Sequence, residues 1–174
     1  MGDSSDEQVT ETIALMRRYA LEDYPSTPVR SALALACRMY GCGDTIAAIH
    51  RWVRSSCRFV HDDRTSAWLQ PFDQRPIVEI LLRPVEMLHF RRGDCDDFSM
   101  LAASMLLAAG VECNFVTVAA HPSTPEDFTH VYVAAAYPAT GRRIAVDASH
   151  GPQLGWEAPS YGKRVEWPVR GMVQ

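Results

Sequence analysis

A cysteine, a histidine and an aspartate stand at positions in this chain where their side chains could work together chemically. Cys95 lies in the run Gly93–Phe98, at the predicted first turn of an amphipathic helix. His130 opens a predicted strand, and Asp147 lies near the end of the next one. Thiol, imidazole and carboxylate are the parts of a cysteine nucleophile system. The pattern predicts Cys95 as the nucleophile, His130 as the base and Asp147 as the group that orients it.

The predicted helix start bears on how readily the Cys95 thiol ionises. A free cysteine has a pKa of about 8.5, and the positive end of a helix dipole favours the thiolate. Asp94 suits the N-cap position and Asp97 suits the third helical position, as in a capping box. Cys95 is then the first residue of the helix, and its N–H is available to an oxyanion. Because Asp94, Asp96 and Asp97 oppose a thiolate, a protonated imidazole must supply much of its stabilisation. The alternative is a cysteine that only fills a helix start.

A predicted hairpin would bring His130 and Asp147 together. If Ala136 lies opposite Gly141 across residues 137–140, a common hairpin loop length, the same register sets His130 opposite Asp147. The carboxylate could then accept from one ring nitrogen and leave the other facing the thiol. The alternative is that His130 is an ordinary strand histidine. The remaining histidines that could serve as the base are weaker candidates, because they lie in turns or loops or lack a matching carboxylate: His61, His89, His121 and His150.

Helical periodicity dominates the first part of the chain and strand alternation the second, an order that predicts an α+β fold. Pro25, Pro84 and Gly110 interrupt or end the helical patterns. The first predicted helix has its apolar face at residues 9, 13, 16 and 20 and ends before Tyr24, and the third is capped by Asp44 and has its apolar face at 46, 49, 52 and 53. The other predicted elements are helices over 31–40, 77–90 (broken at Pro84) and 94–109, an extended stretch at 58–60, a loop at 61–77, strands over 112–119, 130–136 and 143–148, and a surface tail over 149–174.

The composition is typical of a soluble globular protein. A length of 174 residues predicts one domain, with an N-terminal helical extension over residues 1–43, a catalytic core over 44–151 and a C-terminal surface tail over 152–174. The net charge of −4 with scattered basic residues argues against a nucleic-acid partner. No membrane span or secretory signal is evident, which predicts a cytoplasmic protein.

The five cysteines form no CxxC pair and no regular framework, so we expect reduced thiols and neither a zinc site nor a disulfide scaffold. Cys37, Cys57 and Cys113 stand among apolar residues, and Cys42 stands between two glycines. Only Cys95 has a polar helix-start context.

Residues from about 46 to 151 resemble the transglutaminase-like superfamily of papain-type cysteine enzymes, and compact microbial or phage-encoded members are the most similar. The resemblance covers the core of the chain. The matching segments are Ile49–Val53, Arg58–Asp62, Arg92–Phe98, the helix through Leu106 into Val111, Thr129–Val133 and Ala145–Ala148.

The resemblance implies a papain-like fold, in which N-terminal helices and a central cysteine-bearing helix pack on an antiparallel sheet. It also implies a Cys95–His130–Asp147 triad that acts on amide bonds of a peptide or protein through a thioester. Water would resolve the thioester in a peptidase or amidase, and an amine would resolve it in a transglutaminase. No cofactor and no metal is expected, since no calcium-loop pattern is present.

The sequence offers more than one candidate for parts of the site and for the function. Trp68 and Gln70 are candidates for the second oxyanion donor, and the loops 120–129 and 149–162 are candidate cleft walls. One alternative function is a catalytically silent binding or assembly protein, such as a phage accessory, that retains the fold. Another is an acyl-CoA-dependent acyltransferase, which uses a similar triad. Substrate identity and oligomeric state do not follow from the sequence.

Overall fold

The computed structural model describes residues 4–61 and 81–171, where helices precede an antiparallel sheet. This arrangement confirms the α+β class. The helices are α1 Ser4–Asp23, α2 Thr27–Tyr40, α3 Thr45–Ser56, α4 Pro84–Phe90 and α5 Cys95–Ala108; the strands are β1 Arg58–Phe59, β2 Arg92–Gly93, β3 Cys113–Val118, β4 His130–Ala136, β5 Arg143–Val146 and β6 Arg164–Pro168.

Local capping decides where α2 and α3 begin. The predicted cap of α3 is confirmed, because the Asp44 carboxylate accepts the N–H of Ala47 at 3.0 Å. Helix α2 begins earlier than predicted, at Thr27. There Ser26 caps the helix, and Pro28 fits a first turn in which its missing N–H is not needed.

Helix α4 is shorter than the helix predicted over residues 77–90. It begins at Pro84, the residue at which a break was expected, and the segment 77–80 lies outside the described residues. Proline suits the first turn of a helix better than its interior, where its ring would clash with the preceding turn. Trp68 and Gln70, the candidate oxyanion donors, also lie outside the described residues.

The four-stranded sheet has the order β5-β4-β3-β6, and its neighbouring strands are antiparallel. The predicted hairpin register is wrong: Ala136 pairs with Arg143, not with Gly141. The N–H of Tyr137 donates to the carbonyl of Arg142 at 2.9 Å, so the four-residue loop is 138–141 instead of 137–140. Strand β5 also ends at Val146 instead of Ala148. The hairpin nevertheless keeps the predicted faces, because its register is displaced by an even number of residues and side chains alternate with a period of two.

The C-terminal region is more than the expected surface tail. Strand β6 lies within it and pairs with β3, for example Trp167 with Phe115. Val169, just after this strand, is fully buried in the main core. Residues in the range 152–174 therefore complete one edge of the sheet.

Helix α5 is the centre of the core. Twelve of its residues are buried, including Ser99 and Ser104, whose hydroxyls donate to the backbone carbonyls of Val131 and Leu101. The helix packs on β3 and β4 on one side and contacts α1 to α4 on others. Because α5 is enclosed in this way, its first residue is held in a fixed position relative to the sheet.

Among the described residues, no single helix is long and apolar enough to cross a membrane. Helices α2 and α3 reach the required length and composition only when taken together, across a bend of 102°.

Candidate active site

Cys95 is the first residue of α5, as predicted, and a reciprocal capping box fixes it there. The Asp94 carboxylate accepts the N–H groups of Asp96 at 3.0 Å and Asp97 at 3.4 Å. The Asp97 carboxylate accepts the N–H of Asp94 at 3.1 Å. These carboxylates take the N–H groups on either side of Cys95 in the chain, and the Cys95 N–H is not among their donors.

Asp97 has a second structural role that the sequence did not indicate. It is fully buried and also accepts the N–H of Leu82 at 2.7 Å, which ties the segment before α4 to the start of α5. Gly93 packs directly against it, since an added Cβ at Gly93 would lie 2.6 Å from the Cβ of Asp97. The glycine before the cysteine is thus explained by close packing against Asp97.

His130 and Asp147 contact each other directly. The Nε2 of His130 lies 2.7 Å from Oδ2 of Asp147, and their side chains are only 8% and 1% exposed. Extending the observed register by one residue sets Asp147 opposite Tyr132, so His130 reaches it diagonally on the same face. The contact predicted from the hairpin is present, although the strand pairing that was to produce it is different.

The Asp147 carboxylate is held as an anion by several donors. Its Oδ1 accepts the N–H of Ser149 at 3.2 Å, the hydroxyl of Ser149 at 2.9 Å and the N–H of His150 at 2.9 Å. Burial raises the pKa of Asp147, but the hydrogen bonds and charge of His130 and the donors at residues 149 and 150 outweigh burial and leave the pKa below its ordinary value. An ionised Asp147 is only an acceptor, so His130 donates through Nε2–H and its Nδ1 can accept a proton.

His50 contacts the backbone at Asp147, a role that the sequence did not indicate. It is 1% exposed, and its Nε2 lies 3.1 Å from the carbonyl of Asp147 and 3.2 Å from that of Gly151. Gly151 must be small here, because an added Cβ would lie 2.5 Å from the Asp147 carbonyl oxygen. The available signal was position: His50 follows Ile46 by one helical turn, on the apolar face of α3.

A cavity of about 1280 Å³ is lined by both Cys95 and His130. Both loops named as candidate walls contribute to it, through residues such as Phe128 and Trp156. Helix α1 contributes a third wall that was not anticipated, through residues that include Ile13. The thiol and the imidazole thus share one cavity large enough for a peptide segment.

The surroundings of Cys95 oppose ionisation of its thiol. Burial raises the pKa of the Cys95 thiol, and the negative charges of Asp96 and Asp94 raise the pKa further. The thiol donates to Oδ1 of Asp96 at 3.8 Å. The helix start alone therefore does not make a thiolate. Burial likewise raises the pKa of Cys57 to about 11 and of Cys113 to about 12.

Two groups in the described part of the chain bring possible metal ligands within 4.8 Å of one another: His130, Asp147 and His150, and Asp94, Cys95 and Asp96. In the first group the two carboxylate oxygens already accept from His130, Ser149 and His150. A metal ion there would have to break the His130–Asp147 hydrogen bond. In the second group Asp94 already caps α5. Both groups are thus accounted for by contacts within the protein.

Part of this chain matches a known protein family. A family model described as a transglutaminase-like domain matches residues 30–141, a span that includes Cys95 and His130. No protein with a curated description matches the chain.

Two solved structures are similar to this one. A candidate cysteine protease from Cytophaga hutchinsonii is 18% identical over 79% of this chain and 48% of its own, with a TM-score of 0.47. The Rad4–Rad23 complex bound to a 6-4 photoproduct UV lesion is 12% identical over 80% of this chain and 35% of its own, with a TM-score of 0.40. The chain spans about half the length of the first and about a third of the second.

Proposed function

Because this chain belongs to the family of transglutaminase-like domains, we propose that it is a cysteine-nucleophile enzyme that acts on amide bonds of peptides or proteins. The observation that supports this proposal most directly is the hydrogen bond that Asp147 accepts from His130, a residue that lines the same cavity as Cys95. A buried carboxylate that holds an imidazole in the same cavity as a helix-start thiol matches the chemical needs of acyl transfer.

In the first half of the proposed reaction, the thiol proton moves to Nδ1 of His130 as the sulfur attacks the substrate carbonyl carbon. The oxyanion that forms accepts a hydrogen bond from the Cys95 N–H. The His130 imidazolium, oriented by Asp147, then gives its proton to the leaving amine. The C–N bond breaks, and a thioester with Cys95 remains.

In the second half, water or an amine attacks the thioester and gives its proton to His130. The proton then passes to the sulfur, which leaves as the Cys95 thiol. Water yields a peptidase or amidase, and an amine yields a transglutaminase. The chemistry at the three residues is the same in both cases, and access of the acceptor to the cavity decides the outcome.

The raised pKa of the Cys95 thiol constrains how the nucleophile forms. Burial and the charges of Asp96 and Asp94 favour the neutral thiol, so in the proposed reaction the proton moves to His130 as the sulfur attacks. The reactivity of Cys95 should then depend on His130 more strongly than on the helix start.

Iodoacetamide alkylation at pH 7, followed by peptide mass spectrometry, tests the proposal. We expect Cys95 to react faster than Cys37, Cys42, Cys57 and Cys113, and to lose that advantage in His130→Ala. We also expect a peptide library to leave an acyl adduct on Cys95 that is absent from Cys95→Ala. Cys42→Ala, which removes an exposed thiol elsewhere, is the matched control and should keep the adduct.

A catalytically silent binding or assembly protein is the second candidate, and the raised pKa of the Cys95 thiol is the observation that favours it. It would be the better account if Cys95 reacted no faster than the other four thiols and if His130→Ala left its alkylation rate unchanged.

A further inference from the structure

The two oxygen atoms of the Asp147 carboxylate serve two different imidazole rings. Oδ2 bonds Nε2 of His130 at 2.7 Å. Oδ1 accepts the hydroxyl of Ser149 at 2.9 Å, and that hydroxyl oxygen lies 2.9 Å from Nδ1 of His150. The carboxylate thus reaches His130 directly and His150 through one hydroxyl.

This second chain of hydrogen bonds determines the tautomer of His150. An ionised carboxylate cannot donate, so the single hydroxyl proton of Ser149 points to Asp147. The hydroxyl oxygen must then accept from Nδ1–H of His150. A neutral His150 with its proton on Nδ1 carries a lone pair on Nε2, and this atom has no hydrogen-bond partner within residues 4–61 and 81–171.

Packing holds the His150 ring at the reacting groups. Its centroid lies 4.7 Å from that of His130, at an interplanar angle of 81°, and 4.8 Å from that of Phe59, at 72°. His150 lines the same cavity as Cys95 and His130. Burial lowers the pKa of His150 and charge on His130 lowers it further, and both effects favour the neutral ring.

We propose that Nε2 of His150 is a hydrogen-bond acceptor for the leaving amine and for the water or amine that replaces it. This inference rests on the proposed acyl-transfer function. When His130 delivers its proton to the lone pair of the leaving nitrogen, the remaining N–H must point away from His130, and an acceptor on the adjoining ring can receive it. In the second half of the reaction, the attacking water or amine occupies the place that the leaving amine has vacated. Its N–H or O–H donates to Nε2 of His150 in the same way, and this contact aligns its lone pair with the thioester carbon. His150 orients the molecule and moves no proton, since the proton path runs through His130.

The ester p-nitrophenyl acetate separates the two halves of the reaction. Acetylation of Cys95 releases p-nitrophenolate, which carries no N–H, so this step does not need His150. Deacetylation by water or by added methylamine does need it. The release of p-nitrophenolate reports the first step, and the decay of the acetyl-enzyme, followed by intact mass spectrometry, reports the second.

Three variants isolate the Nε2 atom. His150→Phe keeps the ring packing without either nitrogen, His150→Asn places an amide group near the former Nδ1, and His150→Gln places an amide oxygen near the former Nε2. We expect acetylation to be preserved in all three. Deacetylation should slow about tenfold in His150→Phe and His150→Asn, the loss expected for one hydrogen bond, and recover largely in His150→Gln. His89→Asn, a histidine in a separate groove between α2 and α4, is the matched control and should leave both steps unchanged.

The inference is overturned if His150→Phe and His150→Asn deacetylate as fast as the unmodified protein, or if His150→Gln is as slow as His150→Asn. A different result marks failure of the underlying function: the unmodified protein forms no acetyl-Cys95, and its Cys95 alkylates no faster than the other thiols.

Discussion

At Cys95, two opposing influences act on one thiol. The start of α5 favours a negative charge through its dipole, but burial and the carboxylates of Asp96 and Asp94 favour the neutral thiol. Burial and these two carboxylates together raise the pKa of the Cys95 thiol. A helix terminus supplies only about half a charge, whereas each neighbouring aspartate supplies a full one in a partly buried place where screening is weak.

Removal of the Asp96 charge should therefore make Cys95 easier to ionise. In Asp96→Asn the side-chain oxygen can still accept from the thiol, but the negative charge that raises the Cys95 pKa is gone. We expect the pH dependence of iodoacetamide alkylation at Cys95 to move to lower pH. The measurement is the alkylation rate between pH 6 and pH 10.

Asp127→Asn is the control for this charge change. Asp127 is exposed and does not line the cavity, so the same substitution there should leave the profile in place. An unchanged or upward-shifted profile in Asp96→Asn would contradict the electrostatic account of Cys95.

At the scale of elements, the capping box of α5 and the β4–β5 hairpin position the three predicted site residues. The capping box is a local feature, and the sequence predicted it correctly at Asp94 and Asp97. The hairpin register was predicted wrongly because the four-residue loop lies one residue further along the chain, at 138–141, where the N–H of Tyr137 donates to the carbonyl of Arg142 at 2.9 Å. The His130–Asp147 contact persists because an even shift keeps both side chains on one face.

The cap of α5 should contribute measurably to stability. Asp94→Ala removes the acceptor of two N–H groups and should lower the free energy of unfolding by about 1 kcal/mol. Asp94→Asn keeps an acceptor oxygen, so its free energy of unfolding should fall much less. Urea denaturation at pH 7 measures both. Equal losses in the two variants would show that the Asp94 charge, and not the cap, stabilises the helix start.

At the scale of the whole molecule, helices distant in sequence complete the site. Helix α1 forms one cavity wall, and Lys163 ties its beginning to the region before β6 through Asp6, at 2.8 and 2.9 Å. Helix α3 contributes His50, which holds the carbonyls of Asp147 and Gly151. The N-terminal helices are thus part of the architecture around the cavity, not an appendage to it.

The buried His50 should make stability depend on pH. Burial lowers its pKa below the ordinary value of 6.5, so below that pH the unfolded chain binds a proton that the folded protein resists. The free energy of unfolding therefore falls as pH falls from about 6.5, by at most about 1.4 kcal/mol per pH unit for this one group. In His50→Gln the amide can still donate to the two carbonyls but does not titrate. The free energy of unfolding of this variant should therefore fall less steeply between pH 7 and pH 5.

Urea denaturation at several pH values measures this slope. His89→Gln replaces an exposed histidine and should keep the slope of the unmodified protein. If the free energy of unfolding fell as steeply with pH in His50→Gln as in His89→Gln, protonation of His50 would not be a source of the acid sensitivity.

The sequence by itself determined the features that depend on residues close together in the chain. The cap at Asp94, the buried faces of α3 and α5 and the alternation in β4 follow from contacts within one or two turns or along one strand. These features were enough to select Cys95, His130 and Asp147 as candidates and to predict that the last two would meet.

The tertiary structure alone decided what depends on packing between distant segments. The β4–β5 register, the place of β6 in the sheet, the wall formed by α1 and the support from His50 all require chain segments far apart in sequence to come together. The pKa of Cys95 belongs to the same group, because burial depends on the whole fold. The tautomer of His150 depends on the position of one serine hydroxyl, which no periodicity or motif spacing encodes.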